Sequence, residues 1–263
     1  MYKYFQHKIM EYKMPITPQT IIEKFTDIIK QSNNRLAAYN GKLTASDISY
    51  GINIANANAK RLADDAEILL TAGRIPTAAS LAVLSIEESG KVTIFRQLAT
   101  STTNEINAAW KSYRNHVKKN SQWLLLDLAL NGGAKTLDDF RPLFDENEHA
   151  IILDNIKQLG FYTDCLGDKN WSIPEQFIDE ELACYLVKIA KLLVGKREIT
   201  LKEIELWIEY LGNVPTGDLN LGKEALIRWY AAMQEAGLYK EGVNGMETFI
   251  TEGITLPKIS RHE

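Results

Sequence analysis

Cysteine is scarce in this chain of 263 residues, which holds only Cys165 and Cys184. Two cysteines cannot build a disulfide framework, and without a CxxC pair or a Cys/His cluster nothing suggests zinc; the usage fits a reducing compartment. An excess of positive charge is missing too. Lys and Arg total 30 against 34 Asp and Glu, a net charge of −4, which excludes a protein that holds nucleic acid by bulk charge. Any RNA contact needs a local basic patch. No run approaches the roughly 18–20 apolar residues of a membrane span. The opening MYKYFQHKIMEYKMP spreads charges through its length and has no apolar h-region, so it does not read as a signal peptide. There is no GxxxxGK[ST] and no GxGxxG, which leaves a nucleotide-driven motor or a dehydrogenase without support. The expectation is a cytoplasmic protein with no membrane attachment, no metal and no cofactor.

What is present is an ordinary globular balance, 45% apolar and 24% charged, with period 3.6 nearly throughout. Residues 18–30 place Ile21, Ile22, Phe25, Ile28 and Ile29 on one helical stripe. Thr44 and Asp47 form a capping-box pattern for a helix that keeps one apolar face to Leu70. Gly73 ends it, and Pro76 suits the first turn of the next helix, about 76–100. That helix is apolar or small on all sides from Ala78 to Ile86, the pattern of a central, buried element. A fourth helix is expected from Asn104 to Leu130, closed by Asn131-Gly132-Gly133. Thr136 and Asp139 cap a short segment, and a helix near 147–159 ends at Gly160. Residues 161–171 suit a small hairpin around Gly167-Asp168. Ser172 and Pro174 open a helix to Val194, Thr200 and Glu203 form another capping box, and a last helix spans about 221–236. The tail after Gly237 shows no period. The fold class is all-α, a helical bundle with helical N- and C-terminal extensions.

Two neighbouring clusters carry candidate chemistry. In SIEESGK (85–91), Lys91 lies at helical spacing from both Glu87 and Glu88 and can serve either carboxylate. Glu88 falls on the stripe Leu84–Glu88–Val92–Phe95, so it is read as the buried anchor of a polar network, with Glu87 less critical. Plain surface pairing is the alternative. In WKSYRNHVKK (110–119), residues 104–123 hold four Lys/Arg and His116 against one acid, Glu105. Arginine can grip a phosphate with two hydrogen bonds, and histidine can move protons near neutral pH. These are the parts of metal-free RNA cleavage, in which a 2′-hydroxyl attacks the phosphate; a solvated basic face is the alternative. Two positions apart on an ideal helix means about 200° of rotation, so Arg114 and His116 converge only if the helix distorts or if each works with another helix or subunit. His7, His149 and His262 have no partner spacing, and the Asn-rich run 53–60 suits a polar contact.

Three ordered motifs carry a resemblance: TAGRIPTAASLAVLSIEESGK (71–91), KSYRNHVKK (111–119) and KQLGFYTDCLGDKNWSIPEQF (157–177), the last with Tyr162, Asp164, Trp171 and Pro174. Over roughly 44–211 the chain resembles the AbiV family of abortive-infection proteins within the HEPN group. The resemblance implies an HEPN-like helical domain at 44–211, with an N-terminal extension at 1–43 and a C-terminal helical extension and tail at 212–263. It implies a homodimer acting in the bacterial cytoplasm to arrest translation during phage infection, as a metal-independent ribonuclease. Arg114 and His116 would be catalytic, Glu87, Glu88, Lys91 and Lys119 supporting, and Lys111, Lys118 and Tyr113 on the RNA. Partners would be RNA and a phage-encoded activator. The arginine and histidine stand closer together than in the usual HEPN motif. The alternative is a non-catalytic effector that binds a phage protein or the translation machinery through the same basic face.

Overall fold

The computed structural model describes residues 18–31, 37–120, 135–140 and 148–253. The chain divides into two compact units, Met1–Asn40 and Gly41–Glu263. The first contains α1 (Pro18–Gln31), whose start and stripe match the periodicity. The second contains α2 (Ala45–Thr71), α3 (Ile75–Thr100), α4 (Ile106–Arg114), α5 (His116–Asn120), a 3₁₀ turn (Leu137–Phe140), α6 (Glu148–Phe161), β1 (Cys165–Leu166), β2 (Asn170–Trp171), α7 (Pro174–Phe177), α8 (Glu180–Leu193), α9 (Leu201–Leu211), α10 (Leu219–Glu235) and α11 (Gly245–Thr251). Among the described residues the chain is all-α apart from one two-stranded antiparallel hairpin, in which Cys165 pairs with Trp171. No helix among the described residues is long and apolar enough to cross a membrane.

The α2 start follows from the capping box: the Thr44 hydroxyl accepts from the Asp47 N–H, and the Asp47 carboxylate accepts from the Thr44 N–H at 2.9 Å. α3 is the centre, packing against α2 and every helix from α4 to α9. Its surface of Ala78, Ala79, Ser80, Ala82, Ser85, Ser89 and Gly90, all buried, lets neighbouring backbones come close. Ser85 donates to the Ala59 carbonyl of α2 at 2.7 Å, and Ser80 to the Lys157 carbonyl of α6 at 3.2 Å. A β-carbon at Gly90 would lie 1.9 Å from the Lys119 carbonyl oxygen, and one at Gly160 would lie 2.2 Å from the Ser80 hydroxyl. These glycines seat α5 and α6 on α3; Gly160 falls inside α6, one residue before its end.

Two apolar clusters flank the middle of α3. One joins Val83 and Ile86 to Ala63, Leu153, Leu186 and Val187; the other joins Ile94, Phe95 and Leu98 to Ile48, Ile52, Trp110 and Ile204. Full burial of each such large side chain contributes about 1.5–3 kcal/mol. A third cluster, of Leu206, Trp229, Ala232 and Met233, holds α10 on α9. The Asn-rich run supplies the polar contact its composition suggests: Asn53 both donates to and accepts from the Ile199 backbone, each at 2.9 Å.

Four expectations change. The fourth helix does not run unbroken from 104: it stops at Arg114, restarts at His116, and its expected end at 131–133 lies outside the described residues. The helix expected from Ser172–Pro174 to Val194 is two pieces. Extended backbone at Ile178 lets that side chain enter the core, and Asp179 starts α8 by accepting from the Leu182 N–H at 2.8 Å. The second capping box is half made. Thr200 accepts from the Glu203 N–H, but the Glu203 carboxylate turns inward to Arg96 and Arg197, at 3.0 and 2.7 Å. The tail holds α11, which carries little periodicity in seven residues and starts because Asn244 accepts from the Met246 and Glu247 N–H groups.

Gly90→Ala is expected to lower the unfolding midpoint sharply, by more than the 1–3 kcal/mol typical of overpacking, because the obstruction is backbone. Gly222→Ala, in α10, where a β-carbon would only touch Val214 at 4.0 Å, should be neutral or stabilise by up to about 1 kcal/mol. Denaturant titration of both variants checks the contrast.

Candidate functional site

The site lies where α3 passes between its two apolar clusters. Glu87, on the face that also carries Val83, Gly90 and Ile94, is only 2% exposed. A carboxylate at that depth must be paired and hydrogen-bonded. Its Oε1 accepts from Lys157 Nζ at 2.6 Å, and its Oε2 lies 2.7 Å from His116 Nδ1. Lys157, itself buried, reaches Asp154 Oδ1 at 2.7 Å, one turn back along α6. Burial opposes its charge, but hydrogen bonds and attraction from Asp154 and Glu87 prevail and hold its pKa above the ordinary lysine value. The result is a continuous chain, His116–Glu87–Lys157–Asp154, drawn from α5, α3 and α6.

Asn115 creates the geometry at His116. Its N–H bonds to the Ser112 carbonyl to close α4, its backbone is extended, and its side-chain oxygen accepts from the Lys118 N–H at 3.3 Å to open α5. The helix therefore breaks between Arg114 and His116, so the two do not share one continuous helix. Arg114 lies over the Trp110 ring at 5.4 Å. The His116 side chain is 56% exposed. A carboxylate can only accept, so the neutral ring carries its proton on Nδ1, toward Glu87, and Nε2 is left with its lone pair.

The other candidate residues distribute around this chain. Lys91 pairs with Glu88 at 2.5 Å, both partly buried, and its ammonium stands 5.3 Å from the Tyr113 ring centre. Tyr113 is half-buried, edge-on to Phe95 and Trp110. Lys119 is buried where its carbonyl meets Gly90. Burial drives its pKa below the usual lysine value, and repulsion from Lys91 and Lys157 adds to this against the attraction of Glu87 and Glu88. Lys111 and Lys118 are exposed. The expected order of the two glutamates is reversed: Glu87 is the buried anchor and Glu88 the shallower one, because Glu87 takes the face on which α5 and α6 both converge. Sequence reasoning missed Lys157 and Asp154. Their spacing of three on a helix was visible, but their nearness to Glu87 is a long-range contact with no local signal.

Glu87, His116 and Asp154 bring ligand-type atoms within 4.8 Å of one another. The Lys157 ammonium stands against both carboxylates, so the cluster carries a cation of its own.

Two outcomes follow from these burials. Glu87→Ala, which strands a buried lysine, should destabilise by about 3–5 kcal/mol, while Glu88→Ala should cost about 1 kcal/mol or less; chemical denaturation compares them. Lys119 binds its proton more weakly folded than unfolded, so it opposes folding below its folded pKa and stops doing so as pH rises toward 10.5. The stability of the protein relative to Lys119→Met should therefore increase between neutral pH and 10.5, measured as the gap between their unfolding midpoints.

No curated protein and no solved structure matches the chain. The family whose model matches is HEPN_AbiV, described as AbiV, over residues 47–195. That stretch covers more than half of the chain and holds α3, α5, α6 and the whole His116–Glu87–Lys157–Asp154 chain, so this protein belongs to the AbiV family of HEPN-type abortive-infection proteins.

Proposed function

We propose that the protein arrests translation during phage infection by cutting RNA without a metal ion, as a homodimer in the cytoplasm that a phage-encoded protein activates. The observation that carries the reading is the 2.7 Å contact between His116 Nδ1 and Glu87 Oε2. A buried carboxylate that fixes the tautomer and orientation of a half-exposed imidazole is the arrangement a general base needs. In the reaction, His116 Nε2 takes the proton of a ribose 2′-hydroxyl as that oxygen attacks the adjacent phosphorus. The P–O5′ bond breaks, a 2′,3′-cyclic phosphate forms, and the leaving 5′-oxygen takes a proton from a protonated histidine or from water. Arg114, with Lys111 and Lys118 nearby on α4 and α5, supplies positive charge for the phosphorane-like transition state. Glu87, held in turn by Lys157, stabilises the imidazolium, and Lys157 keeps Glu87 from swinging toward the substrate. Glu88, Lys91 and Lys119 support the helix junction.

A second reading has its own observation. Arg114 is positioned by its stacking on Trp110, apart from the His116–Glu87 contact, as suits a binding patch for a phage protein or the translation machinery.

The test is RNA integrity after induced expression, with and without phage, followed by purified protein and RNA in chelator. His116→Ala should slow cleavage about 10²–10⁴-fold while RNA binding survives. Intact RNA together with growth arrest, lost gradually as Lys111, Arg114 and Lys118 are neutralised and unaffected by His116→Ala, would replace the nuclease with the binding effector.

A further inference from the structure

Helix α6 presents a second surface beside the one that carries Lys157. Asn155 and Gln158 each follow a member of the charged chain by one residue, so they point about 100° further round the helix than Asp154 and Lys157. With Tyr162 they line one wall of a groove of about 560 Å³; Thr163, Asp164 and Ser172 line the other side. That volume lies in the range of small-molecule sites, roughly 300–1,000 Å³. The far side is pinned. Ser172 is buried, its hydroxyl accepts from the Asp164 N–H and its own N–H donates to the Asp164 carbonyl, both at 2.7 Å. Tyr162 is 62% exposed. Among the described residues no lysine or arginine lines the groove, which does not suit a phosphate. Two primary amides, each offering a donor and an acceptor, a carboxylate and one open aromatic face instead match the edge and face of a planar heterocycle.

We infer that this groove is a nucleobase subsite that holds one unstacked base of a single-stranded RNA, next to the nucleotide whose phosphate meets His116. Tyr162 stacks on the base, Asn155 and Gln158 read its edge, and Asp164 accepts from a ring or exocyclic N–H. The inference rests on the RNA reading and adds sequence preference to it.

The experiment uses the full chain and four short, fluorescently labelled 2′-O-methyl RNA homopolymers, which lack the attacking hydroxyl and so report binding without cleavage. The expected result is tighter binding of one base by about tenfold or more. Tyr162→Ala should weaken that preferred RNA about fivefold or more, as loss of one stacked base does, while Tyr162→Phe retains the affinity. Gln158→Ala should flatten the preference without changing the salt dependence, whereas Lys118→Ala should weaken all four RNAs alike. Equal affinity for all four RNAs, or no effect of Tyr162→Ala alongside a normal effect of Lys118→Ala, overturns the subsite and leaves the RNA reading standing. Failure of the unaltered chain to bind any of them overturns both. Unchanged RNA affinity in Tyr162→Ala with loss of growth arrest on infection also overturns the subsite and assigns the groove to a protein partner.

Discussion

A buried carboxylate has few acceptable surroundings, and Glu87 has one of them. It sits in the middle of the central helix, out of reach of water, and needs donors on both oxygens. One comes from α6 and the other from α5, so satisfying a single side chain ties three helices together at one point. The small-residue surface of α3 makes the approach geometrically feasible, and Gly90 and Gly160 mark where backbone meets backbone or side chain with no room to spare. Packing and electrostatics thus specify the same arrangement from two directions.

The interrupted helix between Arg114 and His116 separates two tasks that a continuous helix would hold rigidly on opposite sides. Arg114 stays with α4 and its aromatic support, while His116 begins a new turn and reaches inward to Glu87. One asparagine accomplishes this by ending the first segment and capping the second. The charge pattern around the break is graded by depth, from exposed Lys111 and Lys118, through Lys91 against Glu88, to Lys119 and Lys157, which are enclosed. The outer members face solvent; the inner ones hold the junction.

Helical periodicity made most of the bundle legible, including the central role of α3 and the two clusters that meet at the site; capping spacing showed the box at Thr44, and the Gly167-Asp168 turn showed the hairpin. What it could not show depended on contacts between distant residues. Glu88 satisfied the apolar stripe of its own helix, yet the deeper position belongs to Glu87, because burial there is decided by where α5 and α6 land. Lys157 and Asp154 look like an ordinary surface pair until α6 is placed on α3. Asn115 was readable in principle, since asparagine is a capping residue more than a helix former, but the apolar stripe of Trp110, Tyr113 and Val117 ran straight past it. Glu203 was misjudged for the same reason as Glu88: a local rule offered a cap, and a long-range ion pair offered more.

The arginine pair on Glu203 sets where this protein can be divided. Arg96 belongs to α3, but its carboxylate and the Trp207 and Trp229 rings it lies against come from beyond residue 195. Arg197 continues the link to Tyr239, whose hydroxyl it contacts at 3.1 Å. The segment shared with the family and the segment that can stand alone therefore end at different places. Exchange of parts between relatives, whether by recombination or at the bench, has to carry the C-terminal helices along with the family segment, or replace Arg96 with an apolar side chain that does not need them.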